Sequence, residues 1–202
     1  MPARSSILSI VVIAALGCSE SSSPTSPPPF EMCGPFGEWQ SSEYILPYPA
    51  GTSYLVGQAN CSGGGHSGFW RYGYDFLMEI GTTVVASRSG VVVQVDEDGE
   101  DYDQTRTNQV VIRHPDGTAM LYSHLTKDGA LVAVGDAVSP GDPIGLSGVT
   151  GNTGGTPHLH QSLHPCAAIS EDRNSCRSMP FNFSNTETNP NGLQAGRSYT
   201  AN

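Results

Sequence analysis

Basic residues are scarce: 9 lysines and arginines stand against 19 aspartates and glutamates, a formal net charge of −10. Affinity for nucleic acid rests on clustered cations that neutralise phosphates, so this balance argues against a nucleic-acid partner and against direct electrostatic adhesion to anionic lipid. Past residue 30, no stretch of a dozen residues repeats apolar side chains at helical spacing, which argues against a helical bundle. No apolar run reaches the ~20 residues that a transmembrane helix needs. Neither Cys-x-x-Cys nor His-Glu-x-x-His occurs, which removes support for a thiolate metal site and for a zinc helix with a glutamate base.

What is present begins with an export pattern. Arg4 precedes a short apolar run at 7–16 that ends in Gly17, so residues 1–18 read as a secretory signal. Ala15-Leu16-Gly17-Cys18 resembles a bacterial lipobox, in which the cysteine is lipidated and becomes the new N-terminus. Residues 19–30 are almost all Ser, Thr and Pro, a composition that cannot bury enough apolar surface to fold and that reads as a tether. This predicts an exported protein of the cell envelope, held on a membrane through lipid at Cys18. Ser19 stands where many Gram-negative lipoproteins carry the aspartate of inner-membrane retention, so the expectation is an outer-membrane or periplasmic lipoprotein. Without Cys18 four cysteines remain, an even number that suits two disulfides in an oxidising compartment. Three pairings are open; Cys33 with Cys61 and Cys166 with Cys176 close the shortest loops.

The rest reads as one mainly β domain over 31–165, followed by a polar appendage at 166–202. Residues 82–87, 91–95, 109–113 and 118–123 are β-branched or apolar runs between turn residues. His114-Pro115-Asp116-Gly117 is a hairpin turn, and the acidic cluster between residues 96 and 103 reads as a solvated turn between strands. Two more short strands flank the Pro- and Gly-punctuated segment 138–145. A glycine-rich loop at 151–156 then delivers Pro157-His158-Leu159-His160 onto a strand.

Side chains two apart on a strand share a face, so His158 and His160 can converge on one site. His124 ends the expected strand at 118–123, and His66 and Asp75 bracket an aromatic, glycine-containing segment. Zinc hydrolases take three nitrogen or oxygen donors and leave a fourth position for water, a set this chain supplies with imidazoles to spare. His114 lies in the hairpin turn and His164 beside Pro165 at the expected end of the strand, and neither is expected at the site.

In order along the chain stand Gly73-Tyr74-Asp75-Phe76, Gly81-Thr82-Thr83-Val84-Val85-Ala86, Gly90-Val91-Val92, Tyr122-Ser123-His124-Leu125 and His158-Leu159-His160. This series, over roughly residues 44–163, resembles the M23 metallopeptidases, the lysostaphin- or LytM-type endopeptidases of peptidoglycan. The resemblance implies an all-β fold, an open antiparallel sheet or β-sandwich of the duplicated-hybrid-motif type. It also implies Zn2+ as cofactor, Asp75 and His160 as ligands, His124 and His158 as unligated catalytic histidines, and peptidoglycan peptides as substrate. The commonest spacing of the family puts its first ligand histidine at Arg71, which cannot ligate. A branch with a longer insertion and an upstream motif like Leu46-Pro47-Tyr48 makes His66 the first ligand. Gln161 departs from the aromatic or aliphatic residue usual after the second histidine, and on a strand its side chain faces away from the metal.

Two other classes share features with this sequence. A family member that has lost its ligands would be an inactive module that binds wall or activates another hydrolase. The turn at 135–142 resembles those of biotinyl and lipoyl carriers, but no lysine sits in a carrier-type hairpin.

Overall fold

The computed structural model describes Met1 and residues 33–167, 169 and 175–202. The expected signal, lipobox cysteine and Ser/Pro tether lie outside the described residues. Short apolar runs cut by glycine, proline and aspartate give eleven strands among them: β1 (Ser53–Gln58), β2 (Tyr74–Leu77), β3 (Thr83–Val85), β4 (Gly90–Asp96), β5 (Gln109–Arg113), β6 (Ala119–Ser123), β7 (Leu125–Ala130), β8 (Ala137–Val138), β9 (Pro143–Ser147), β10 (Leu159–His164) and β11 (Ser198–Thr200). The described residues contain no α-helix, only two 3-10 turns at Trp39–Ser41 and Gly68–Trp70.

Eight strands form one sheet in the order β11-β1-β2-β10-β6-β5-β4-β8, and β3-β9-β7 form a second. Every strand pairing in both is antiparallel. The fold is therefore the all-β, antiparallel architecture that the sequence predicts. Its centre is covered on both faces, because successive side chains of a strand alternate. On β5 and β6, Val110, Ile112, Met120 and Tyr122 enter the main core, where Val84, Leu125 and Ile144 of the smaller sheet meet them. Val111, Ala119 and Leu121 point the other way, into a second cluster with Ile169 and Cys176, against which Phe69 and Trp70 pack.

The expected appendage is built into this fold. β11 pairs with β1 at the sheet edge, and Phe181, Phe183, Leu193 and Tyr199 lie in the main core. The segment looked patternless because its apolar residues are set by irregular chain wrapped on the sheet rather than by one regular element. The buried Tyr74 hydroxyl ties it down, donating to the Phe181 carbonyl at 2.9 Å and accepting from Asn60 at 2.6 Å and the Leu193 amide at 3.3 Å. Disulfides join Cys33 to Cys61 and Cys166 to Cys176. Strand β10 also runs further than expected. It continues through His164 because β6 pairs with it along its whole length, as far as His164 opposite Ala119.

Candidate metal centre

Antiparallel register assembles the site. On β10, His160 lies opposite Asp75 of β2 on one side and Ser123 of β6 on the other. His160, Ser162 and His164 share a face, while Leu159 and Leu163 enter the main core. Gln161 also turns away from the metal side and is fully buried; its amide nitrogen donates to Ser87 Oγ at 2.6 Å. Gly73, just before β2, admits the His160 ring, since a Cβ there would sit 2.9 Å from His160 Cε1.

His66 arrives from the glycine-rich loop after β1. Its Nδ1 lies 3.0 Å from the Ala59 carbonyl, which can only accept, so Nδ1 carries a proton and Nε2 is left to face Asp75 Oδ1 at 3.0 Å. The Nδ1 of His160 approaches the same oxygen at 2.7 Å. All three side chains are buried, and one donor atom from each lies within 4.8 Å of the others. Burial pushes the Asp75 carboxyl up, but its bonds to His160 and His66 outweigh this and hold it well below the usual carboxylate range. Burial lowers the affinity of His160 for a proton; at His66 the same pressure is outweighed by the carboxylate, which raises it.

These residues fit a metal ion. Neutral imidazoles would turn a lone pair of His66 onto a carboxylate oxygen inside the protein, an acceptor facing an acceptor, and a cation among the three atoms removes that conflict. Two imidazole nitrogens and one carboxylate oxygen are a donor set of the kind that metal-dependent hydrolases use.

Two more histidines flank the three donors. His124 follows β6 with a positive φ of 68°, a left-handed conformation uncommon for a residue other than glycine. Its Nδ1 lies 2.7 Å from the Thr150 carbonyl, and the Nδ1 of His158 lies 2.8 Å from the Thr156 carbonyl. Both acceptors are carbonyls, so both rings carry hydrogen on Nδ1 and leave the lone pair on Nε2. The ring centroids are 4.7 Å apart, and His158 Nε2 stands 3.8 Å from Asp75 Oδ2. Burial, reinforced by His158 and His160, pushes the His124 pKa down to about 3, so this ring is neutral at neutral pH.

The structure thus brings together His66, Asp75, His160, His124 and His158. Arg71 is not among the clustered donors; its Nε donates to Cys61 Sγ at 3.3 Å. His114 stays in its hairpin turn, with Nδ1 donating to the Ser89 carbonyl at 2.9 Å. His164 is buried and is not one of the three clustered donors: Nδ1 donates to the Cys176 carbonyl at 2.8 Å and Nε2 accepts from Ser162 at 2.9 Å. Sequence reasoning missed Trp70, whose ring meets both His160 and His164 edge-on at 5.5 Å. It also missed the carbonyls of Ala59, Thr150 and Thr156, which no residue type signals.

An antiparallel sheet carrying a His-Asp-His donor set beside two free imidazoles is the site of a metal-dependent hydrolase. Peptidase family M23 matches residues 70–172, and the chain belongs to this family of metallopeptidases. Among curated proteins it is similar to the peptidoglycan DD-endopeptidase ShyA of Vibrio cholerae, at 45% identity over 96 residues, covering 45% of this chain and 19% of that protein. It is also similar to lysostaphin of Staphylococcus simulans, at 36% identity over 121 residues, covering 59% of this chain and 22% of lysostaphin. The chain therefore spans about a fifth of the length of these two relatives. Among solved structures, the deep-sea M23 metalloprotease pseudoalterin shares the fold, with a TM-score of 0.51 at 19% identity, covering 77% of this chain and 85% of that one.

Proposed function

We propose that this protein is a zinc-dependent endopeptidase that hydrolyses peptide bonds in the stems or cross-bridges of peptidoglycan. The observation that carries the reading is the gathering of His66, Asp75 and His160 donor atoms within 4.8 Å of one another. The likeness to ShyA and lysostaphin supports the wall as substrate, and the buried, paired donor set speaks against an inactive module.

His66, Asp75 and His160 would hold the ion. When bound, zinc supplies a positive charge that acidifies water toward neutrality and polarises a scissile carbonyl. The Nε2 atoms of His124 and His158 do the proton work: a neutral ring of the pair accepts the proton of the attacking water and, now an imidazolium, passes that same proton to the leaving amine, so the pair ends neutral. Their Nδ1–H bonds to Thr150 and Thr156 fix the rings and spread the charge that each gains. Asp75, with Oδ2 3.8 Å from His158, stabilises that ring when it is protonated.

We further propose export, lipid attachment at Cys18, and a spacer over 19–30 that holds the domain clear of a membrane while it works on the wall.

The test is digestion of purified walls of different cross-link chemistry, with released fragments read by mass spectrometry. The reading requires new amino termini within stems or bridges, abolished by a chelator and restored by zinc. Intact wall peptides in every preparation, with zinc bound to the protein, would overturn it.

A further inference from the structure

The acidic loop between β4 and β5, residues 97–108, does not simply trail into solvent. Asp101 spends its carboxylate inward: Oδ1 accepts the Val149 amide at 3.0 Å and Oδ2 accepts the Thr126 hydroxyl. The Tyr102 amide donates to the Val149 carbonyl at 3.2 Å, and the Gly151 amide to the Asp103 carbonyl at 2.8 Å. Loop and backbone 149–151 pack so closely that a Cβ on Gly151, where φ is +75°, would lie 1.9 Å from Thr107 Oγ1. At the end of the loop the buried Asn108 uses its side chain on both sides, accepting the Gly99 amide at 2.7 Å and donating to the carbonyls of Gly99 at 2.8 Å and Thr126 at 3.1 Å.

These bonds converge on Thr150. Its buried hydroxyl accepts from the Asn108 amide at 3.0 Å and donates to the Leu125 carbonyl at 2.8 Å, while the Leu125 amide returns to the Asn108 carbonyl at 3.1 Å. Both neighbours of Thr150 are tied to the acidic loop, and its own side chain is tied to the loop's last residue. The one group of Thr150 that faces the site is its carbonyl, 2.7 Å from His124 Nδ1. Where that oxygen sits decides which nitrogen of His124 carries hydrogen, and hence whether Nε2 is free as a base.

We propose that the acidic loop is the device that locks the His124 tautomer, with Asp101 and Asn108 as positioning residues for turnover. The catalytic consequence rests on His124 acting as proposed above; the lock itself does not. In the full chain labelled with 15N-histidine, multiple-bond 1H–15N correlation reads the tautomer of each ring. The native protein should show hydrogen on Nδ1 of His124. Asp101→Ala should give a mixture at His124 and leave His158 unchanged. It should lower kcat roughly tenfold or more, the range seen when an outer-shell partner is lost, with KM and bound zinc unaltered. Asp101→Asn should restore most of both, since its Oδ1 still accepts from Val149. If Asp101→Ala folds poorly, Thr126→Val removes only the hydroxyl at Oδ2 and should move both readouts the same way by less. A pure Nδ1–H tautomer in Asp101→Ala, whatever its kcat, overturns the proposal. A mixed tautomer with unchanged kcat upholds the lock and removes His124 from the mechanism.

Discussion

Acid should weaken this protein through a histidine that takes no part in the site. His164 is fully buried on β10, with Nδ1–H given to the Cys176 carbonyl and Nε2 occupied by the Ser162 hydroxyl. A second ring proton has no partner and no solvent. Burial is the main cause that pushes its pKa from the ordinary 6.5 down to about 4, with the nearby His160 adding to it. The folded state therefore stays neutral through a range in which the unfolded chain takes up a proton. Stability from this group is complete above pH ~6.5, falls as pH drops toward ~4, and levels off below. A gap of about 2.5 pKa units at ~1.4 kcal/mol each gives about 3 kcal/mol by pH 4. Other groups titrate over the same span, so the clean quantity is the difference from His164→Asn. Urea unfolding of both proteins, disulfides intact, should show the stability gap between them shrink by about 3 kcal/mol from pH 7.5 to pH 4. Stability curves that run parallel would refute the reasoning.

Gly73→Ala should displace the His160 ring, because its Cβ would lie 2.9 Å from Cε1. Zinc affinity by chelator competition should fall roughly tenfold or more, and an unchanged affinity would show that the ring has room to move. His124→Ala and His158→Ala should each cost about 100-fold or more in turnover while zinc stays bound; loss of metal in either would make that histidine a ligand. Metabolic labelling with a fatty acid should mark the native chain and not Cys18→Ser, and an unlabelled native chain would make residues 1–18 a plain cleaved signal.

The parts of this protein that were legible in the sequence are those where one geometric rule acts alone. β5 is legible to the residue, and so is the turn after it, because a β-branched run and an apolar one meet at a Pro-Asp-Gly turn. The convergence of His158 and His160 is legible because side chains two apart in extended chain share a face. β2 escaped because four residues, the first three buried, show no alternation; β7 escaped because Lys127-Asp128-Gly129 looks like a turn and its ladder is interrupted. The C-terminal aromatics escaped because irregular chain leaves no period. The charge of residues 96–103 reads as a solvated turn, yet Asp101 turns inward, as does Asn108 further on, since hydrogen-bond demand of a neighbouring loop is invisible to composition. Arg71 could be set aside from chemistry alone, and the structure gives it another use, beside the disulfide of the loop that delivers His66.

Metal analysis of three purified proteins reconstituted with zinc decides whether the site is the one described: the native chain, His66→Ala and Arg71→Ala. About one equivalent of zinc is expected in the native chain and in Arg71→Ala, and none held by His66→Ala after dialysis. Zinc retained by His66→Ala and lost from Arg71→Ala, or no zinc in the native chain, would contradict it.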